Sequence, residues 1–354
     1  MNEQRIGVGV VGCGNIAGPY TATFSRTPDV DLVGVTDLDP ARAAALAEER
    51  ACAAFPSLEA MLADERVEVV VNLTIHHAHY EVTKRILEAG RHVYSEKPLA
   101  MQPRQARELV QLATEKGLRL GCSPFTWMGE AQQTAWKLVR EGRLGTVRVA
   151  YAEVNWGRIE SWHPAPAPFY EVGALWDVGV YPLTLLTAFF GPVRRVFAYG
   201  ALLHPARVTK AGVPFRIETP DFVVATLELA TGTLVRLTTN FYVTHHGKQQ
   251  GIEFHGDLGS VHLASWQESD TTVEFAPFGE PYRPLPLIKE PDPFEWGFGA
   301  VELARALREG RPHRATGEQA AHIVDVLAAI STAIASQGPV EVQSGFPPPV
   351  PMGY

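Results

Sequence analysis

The chain has 354 residues, 46% of them hydrophobic and 20% charged, with a formal net charge of −8 at pH 7, a globular composition with length for two domains. This acidic balance, without a basic run, argues against nucleic acid or an anionic membrane surface as the main partner. Cys13, Cys52 and Cys122 are the only cysteines and have no paired spacing, which argues for a reducing compartment and against a disulfide frame or a thiolate zinc site.

The N-terminus enters an apolar strand almost at once, without a charged stretch, apolar stretch and cleavage site in succession. No apolar run is long enough to span a bilayer, so a cytoplasmic protein with no membrane partner is expected. Ile6–Val11 reads as the first strand, followed directly by Gly12-Cys13-Gly14-Asn15-Ile16-Ala17. Alone, G-x-G-x-x-A is a weak signal. Here it closes a strand and opens a helix, where Gly12 permits the tight turn, Gly14 lets a pyrophosphate approach the backbone, and Ala17 lets helix and strand pack closely. Asn15 and Ile16 complete the turn. Leu32–Thr36 reads as the second strand, and Asp37 follows it at the distance expected of an acidic residue that binds ribose hydroxyls. Its carboxylate would face the 2′-phosphate of NADP, with no adjacent cation to offset the repulsion, so NAD is expected over NADP.

Pro40 opens an alanine-rich helix, and Val67–Leu73 reads as another buried strand. Helices are expected over 80–89 and 103–116, ending at Gly90 and Gly117. Between them lies VYSEKPLA, residues 93–100, where Glu96-Lys97-Pro98 stands at the end of a strand. Pro98 biases Lys97 toward extended geometry and gives its side chain a defined exit at the carboxyl edge of a parallel sheet, where ligands bind in open α/β folds. Further on, WGRIESWHPAPAPFY, residues 156–170, is rich in aromatic residues and proline. Trp162, His163, Phe169 and Tyr170 are candidates for a wall that stacks on a sugar ring. The alternative is a proline-stiffened loop packed on its own domain. Asp177 and Tyr181 follow, four residues apart at the start of an apolar helical stretch, a spacing that brings side chains together on one helix face. An Asp177 helix cap is the plain alternative. Residues 223–229, 233–242 and 251–255 read as strands, with a turn at Gly256-Asp257-Leu258-Gly259. The last nine residues are proline-dense and are expected to lie extended.

On Gly12–Ala17, Asp37, Thr74…His79 and Glu96-Lys97-Pro98, the chain resembles the glucose–fructose oxidoreductase/inositol dehydrogenase/MocA family. That family shows a T-P-x-x-x-H segment and an E-K-P segment; here Ile75 stands where the proline would be, while Thr74 and His79 match. Residues 176–182 match its D-x-G-x-H segment, with Tyr181 in the histidine position, a variant found in sugar- and dihydrodiol-oxidising branches. The resemblance implies a two-part fold: an α/β Rossmann domain with a parallel sheet over residues 1–123, and an α+β domain with a large, mostly antiparallel open sheet over 124–345. Residues 346–354 are then a proline-rich tail. It implies NAD as cofactor, held by Gly12, Gly14, Asn15, Ile16, Asp37, Thr74, His79, Glu96 and Lys97, and a homodimer or homotetramer formed through the second sheet.

The implied activity is hydride transfer between nicotinamide and a secondary alcohol of a sugar, polyol or related cyclic diol. Such a reaction needs a group to take the hydroxyl proton. Tyr181 is expected to exchange it, its pKa lowered by the Lys97 cation, with Lys97 also bonding the substrate oxygen. Lys97 itself is the other possible base. Asp177 would orient Lys97 or bind an adjacent hydroxyl. His76, His77 and His79 invite a metal, but no Cys, Asp or Glu stands near them in sequence and none is expected. The alternatives are a non-catalytic regulator that senses the dinucleotide and a redox-neutral glycosidase that recycles bound NAD.

Overall fold

A computed structural model describes residues 5–244, 246–292 and 295–353. The chain divides into two compact units, 1–125 with 294–324 and 126–293 with 325–354.

In the first unit, strands β1 (Ile6–Val11), β2 (Val30–Thr36), β3 (Ala53–Ala54), β4 (Val69–Asn72), β5 (His92–Ser95) and β6 (Leu120–Cys122) form one parallel sheet. Their order is β3-β2-β1-β4-β5-β6, the reversal at β1/β4 marking a Rossmann sheet. Between them run α1 (Ala17–Arg26), α2 (Pro40–Arg50), α3 (Leu58–Leu62), α4 (His79–Glu88) and α5 (Pro103–Glu115). Every residue of β1 and of β4 is buried, as befits strands covered on both faces, and this makes their sequences near-continuous valine runs. Asp39 caps α2 by accepting the Ala41 N–H, with Pro40 inside the first turn. Gly90 and Gly117 take positive φ at the ends of α4 and α5, as their sequence positions predict.

The segment 294–324 returns to this unit, although sequence reading groups it with the second domain. The cause is the helix Phe298–Arg308, whose Ala300, Val301, Leu303 and Ala304 join the core cluster of Val8, Val10, Val35, Val71 and Tyr94. A Cβ on Gly299 would lie 2.0 Å from the Tyr94 hydroxyl, so glycine alone permits this approach.

The second unit contains α6 (Glu130–Arg140), β7 (Val147–Asn155), α7 (Ala167–Asp177), α8 (Val180–Phe190), β8 (Val193–Ala201), β9 (Ala206–Val208), β10 (Pro214–Arg216), β11 (Phe222–Leu229), β12 (Leu234–Asn240), β13 (Gly251–Gly256), β14 (Gly259–Leu263), β15 (Val273–Pro277), β16 (Arg283–Leu285) and β17 (Val340–Glu341). Nine of these strands form an open sheet in the order β16-β15-β14-β13-β7-β12-β11-β8-β17. All neighbours are antiparallel except β7 and β12. β9 and β10 make a separate hairpin. The turn predicted at 256–259 joins β13 to β14. Helix α8 is buried throughout, and Phe189 and Phe190 pack on Phe254 of β13 at 5.6 and 5.5 Å. On the other side, Phe197, Tyr199 and Leu234 remain exposed.

Two helical stretches, Ala167–Phe190 and Gly317–Ser336, are long and apolar enough to cross a membrane, contrary to the sequence expectation. The first is α7 and α8 in succession, and 83% of its apolar window is buried within the protein. Its apolarity is that of core helices.

Candidate active site

One group of candidate residues lies at the carboxyl end of the parallel sheet of the first unit. Gly12 follows β1 with φ +96°, and a Cβ there would sit 2.7 Å from the carbonyl carbon and oxygen of Leu73, so only glycine fits. Nothing lies within 4 Å of where a Cβ on Gly14 would be. Asn15 is exposed and Ile16 half-buried at the N-terminus of α1, which no side chain caps. The Ala17 N–H donates to the Gly14 carbonyl at 3.0 Å, and the open space at Gly14 fits a pyrophosphate. Asp37 closes this turn: Oδ2 accepts the Cys13 N–H at 2.6 Å and Oδ1 the Asp39 N–H at 2.8 Å. Burial and the Asp37 carboxylate push the Cys13 thiol up to about 12, so it is not a nucleophile. The residues present fit a dinucleotide.

Thr74, His79, Glu96 and Lys97 converge beside it. Asn72, the last residue of β4, accepts the Thr74 hydroxyl at 2.6 Å and donates to the His79 carbonyl and the Thr83 hydroxyl. His79 is buried, with Nδ1 2.7 Å from the Pro98 carbonyl and Nε2 2.9 Å from the Thr74 carbonyl. Burial holds its pKa below the ordinary value, and a neutral ring donates to only one of the two carbonyls. Glu96 accepts the buried Tyr20 hydroxyl at Oε1 and the Lys97 N–H at Oε2, 3.1 Å away. Burial and the Glu96 carboxylate raise the Tyr20 phenol far above its usual range, which keeps it a donor. Ser123 bonds both Tyr20 and Tyr94, at 3.0 and 3.2 Å. The Lys97–Pro98 bond is cis. Two residues read from sequence as cofactor contacts, His79 and Glu96, thus direct their polar atoms into the unit itself. They set the backbone at Thr74 and Lys97.

A second group of candidate residues belongs to the other unit. Asp177 is the last residue of α7, and Tyr181 is the second of α8. Only Val178 and Gly179 separate the two helices, and both have right-handed helical φ/ψ. A Cβ on Gly179 would lie 2.5 Å from the Leu175 carbonyl oxygen and 3.1 Å from Thr239. Gly179 stands at the N-cap of α8. Tyr181 is buried, and its ring lies 5.0 Å from that of Trp266. Trp266 is 5.8 Å from Trp156, and Trp156 is 6.5 Å from Trp162, the centroids forming a line of rings. Trp162, His163 and Phe169 stand edge to face at 4.9–5.8 Å, with Trp162 45% exposed.

Tyr170, read from sequence as a fourth member of this wall, is not on it. Its ring is buried, and its hydroxyl accepts from the Ile159 N–H at 3.1 Å and from Arg207 Nη1 at 2.6 Å while donating to Glu160. The sequence reading missed Tyr20, Trp266 and Arg207. Tyr20 and Arg207 are isolated polar-tipped residues with no local pattern, and nothing near Trp266 signals its partner 85 positions earlier.

Residues 6–123 match the family described as oxidoreductase family, NAD-binding Rossmann fold (GFO_IDH_MocA). Residues 132–262 match the GFO/IDH/MocA C-terminal domain. The dTDP-3,4-didehydro-2,6-dideoxy-alpha-D-glucose 3-reductase of Streptomyces antibioticus is 34% identical over 236 residues, 66% of this chain and 70% of that protein. The 1,5-anhydro-D-fructose reductase of Ensifer adhaerens is 28% identical over 259 residues, 72% and 74% of the two chains. The crystal structure of the WlbA dehydrogenase from Bordetella pertussis in complex with NADH and UDP-GlcNAcA superposes with a TM-score of 0.79 at 22% identity, covering 97% of this chain and 99% of that one. At that identity the likeness is one of fold.

Proposed function

The chain belongs to the Gfo/Idh/MocA family of NAD(P)-dependent oxidoreductases acting on CH–OH groups, and from that premise we propose an NAD-dependent dehydrogenase of a sugar, polyol or related cyclic diol. The observation that carries this reading is the Lys97 turn, braced by Glu96 and Tyr20 at the carboxyl end of β5. A surface lysine in a solvated loop has no need of a buried phenol to hold its neighbour. The names of the relatives, sugar reductases, support the substrate class.

Bound at the turn after β1, NAD supplies the hydride acceptor. The Gly14–Ile16 backbone would hold its pyrophosphate and Asp37 its ribose hydroxyls, with Thr74 lining the nicotinamide end. Tyr181 takes the proton of the reacting hydroxyl, and the Lys97 cation stabilises the phenolate while donating to the substrate oxygen. Asp177 orients Lys97 or binds a neighbouring hydroxyl. Trp162, His163 and Phe169 stack on the apolar face of the ring.

The test is NADH formation on aldoses, inositols, polyols and dihydrodiols, with NAD and NADP in parallel. Turnover with NAD on at least one class is expected. Silence across the panel, with NADH still bound tightly, replaces the dehydrogenase by the regulator or the redox-neutral glycosidase.

We also propose that copies of the chain pair through the open face of the nine-stranded sheet, where Phe197, Tyr199 and Leu234 are 48–67% exposed. Tyr199→Glu is expected to shift the mass measured by light scattering from dimer or tetramer to monomer. A monomeric wild type would end that proposal.

A further inference from the structure

The loop between β7 and α7 would be mobile if it were held only by its own prolines. It is instead fixed from below by a residue of the β9–β10 hairpin. Arg207 has no side-chain exposure, and its guanidinium makes four hydrogen bonds: Nε to the His204 carbonyl at 3.0 Å, Nη1 to Glu160 at 2.9 Å and the Tyr170 hydroxyl at 2.6 Å, and Nη2 to Asp221 at 2.6 Å. Its carbon lies 4.4 Å from the Tyr170 ring centroid. Asp221 is equally buried and accepts the Leu203 N–H at 2.6 Å and the His204 N–H at 3.2 Å. Tyr170 completes the network by donating to Glu160 and receiving the Ile159 N–H.

Glu160 stands two residues before Trp162, and Tyr170 one residue after Phe169. The two anchor points thus bracket the exposed rings on both sides, and both converge on one cation. From the same rings, the line through Trp156 and Trp266 leads to Tyr181. A buried arginine with two carboxylates is a weak route to stability, because desolvation offsets most of the attraction. What such a network does well is hold one geometry, since the planar fork of the guanidinium fits only one arrangement of its acceptors.

We propose that Arg207 is the positioning residue of the substrate wall, setting the distance of Trp162, His163 and Phe169 from Tyr181. This rests on the dehydrogenase reading for its kinetic consequence, though not for the anchoring itself. Lysine in place of Arg207 keeps the charge and loses the fork.

For Arg207→Lys, kcat/KM for the sugar is expected to fall about 10²-fold, the cost of a misplacement near 1 Å, with KM carrying most of the change. The Kd for NADH, which binds in the other unit, stays constant. Hydrogen exchange of 156–170, followed by mass spectrometry, is expected to accelerate relative to the rest of the second unit. Tyr170→Phe keeps the ring over the guanidinium and removes only the hydroxyl. It is expected to show the same pattern more weakly, and it decides the matter if Arg207→Lys does not fold. Unchanged exchange of 156–170 together with unchanged KM would overturn the proposal. A wild type that oxidises no sugar overturns the functional reading instead, and the exchange experiment still tests the anchor.

Discussion

Lys97→Ala should abolish most turnover, lowering kcat by about 10²–10⁴-fold, the range of a lost proton-transfer or charge-stabilising group. NADH should still bind, because the Gly12 turn and Asp37 lie just after β1 and β2 and are untouched. Stopped-flow hydride transfer and fluorescence titration of NADH separate the two effects. Lys97→Arg sharpens the assignment. Guanidinium keeps the charge beside the substrate oxygen but does not give up a proton in a protein. If Tyr181 is the proton acceptor, Lys97→Arg retains more activity than Lys97→Ala. If Lys97 is the base, the two variants are equally dead. A Lys97→Ala enzyme with wild-type kcat would remove the lysine from the chemistry altogether.

The second large effect is expected at Asp37. Its carboxylate is already anchored by the N–H groups of Cys13 and Asp39, so it cannot swing away from a 2′-phosphate. Arg42, the nearest cation in sequence, pairs with Asp39 at 3.5 Å instead. Asp37→Asn is nearly isosteric and removes the charge. NAD affinity should fall about 10–100-fold with the loss of charged hydrogen bonds, of about 1.5–3 kcal/mol. NADP, relieved of a repulsion of several kcal/mol, should gain. The ratio of the two dissociation constants, read by calorimetry, therefore moves toward NADP by at least two orders of magnitude, a floor of about 3 kcal/mol. An unchanged ratio would show that the ribose is read elsewhere.

Much of the first unit was legible because its chemistry is local. A strand buried on both faces must be apolar throughout, and a turn that receives a dinucleotide must carry glycine where a Cβ would strike Leu73. The second unit was harder to read. β8 alternates only loosely between buried and exposed, and its register depends on β11 and β17, far away in sequence. The kink inside α7 is hidden because the apolar pattern continues across it, and its local sign is Gly173, at φ +81°. Tyr170 shows the limit of composition. An aromatic residue in a proline-rich loop reads the same whether it lines a site or lies beneath one, and the deciding partner is 37 positions later.

The return of residues 298–308 to the first unit has a consequence for synthesis. A growing chain finishes its six parallel strands by Cys122, yet the helix that covers Tyr94, Val8 and Val35 emerges only after the whole second sheet up to β16 has been made. For most of translation the nucleotide half therefore lacks one of the helices that cover this cluster, and part of its core stays exposed, as in the aggregation-prone species that chaperones shield. Its last wall arrives from the ribosome after its neighbour has had time to fold. A fragment ending at residue 125 would be a permanently arrested version of that state, and dinucleotide binding would mark the moment at which the chain is long enough to close.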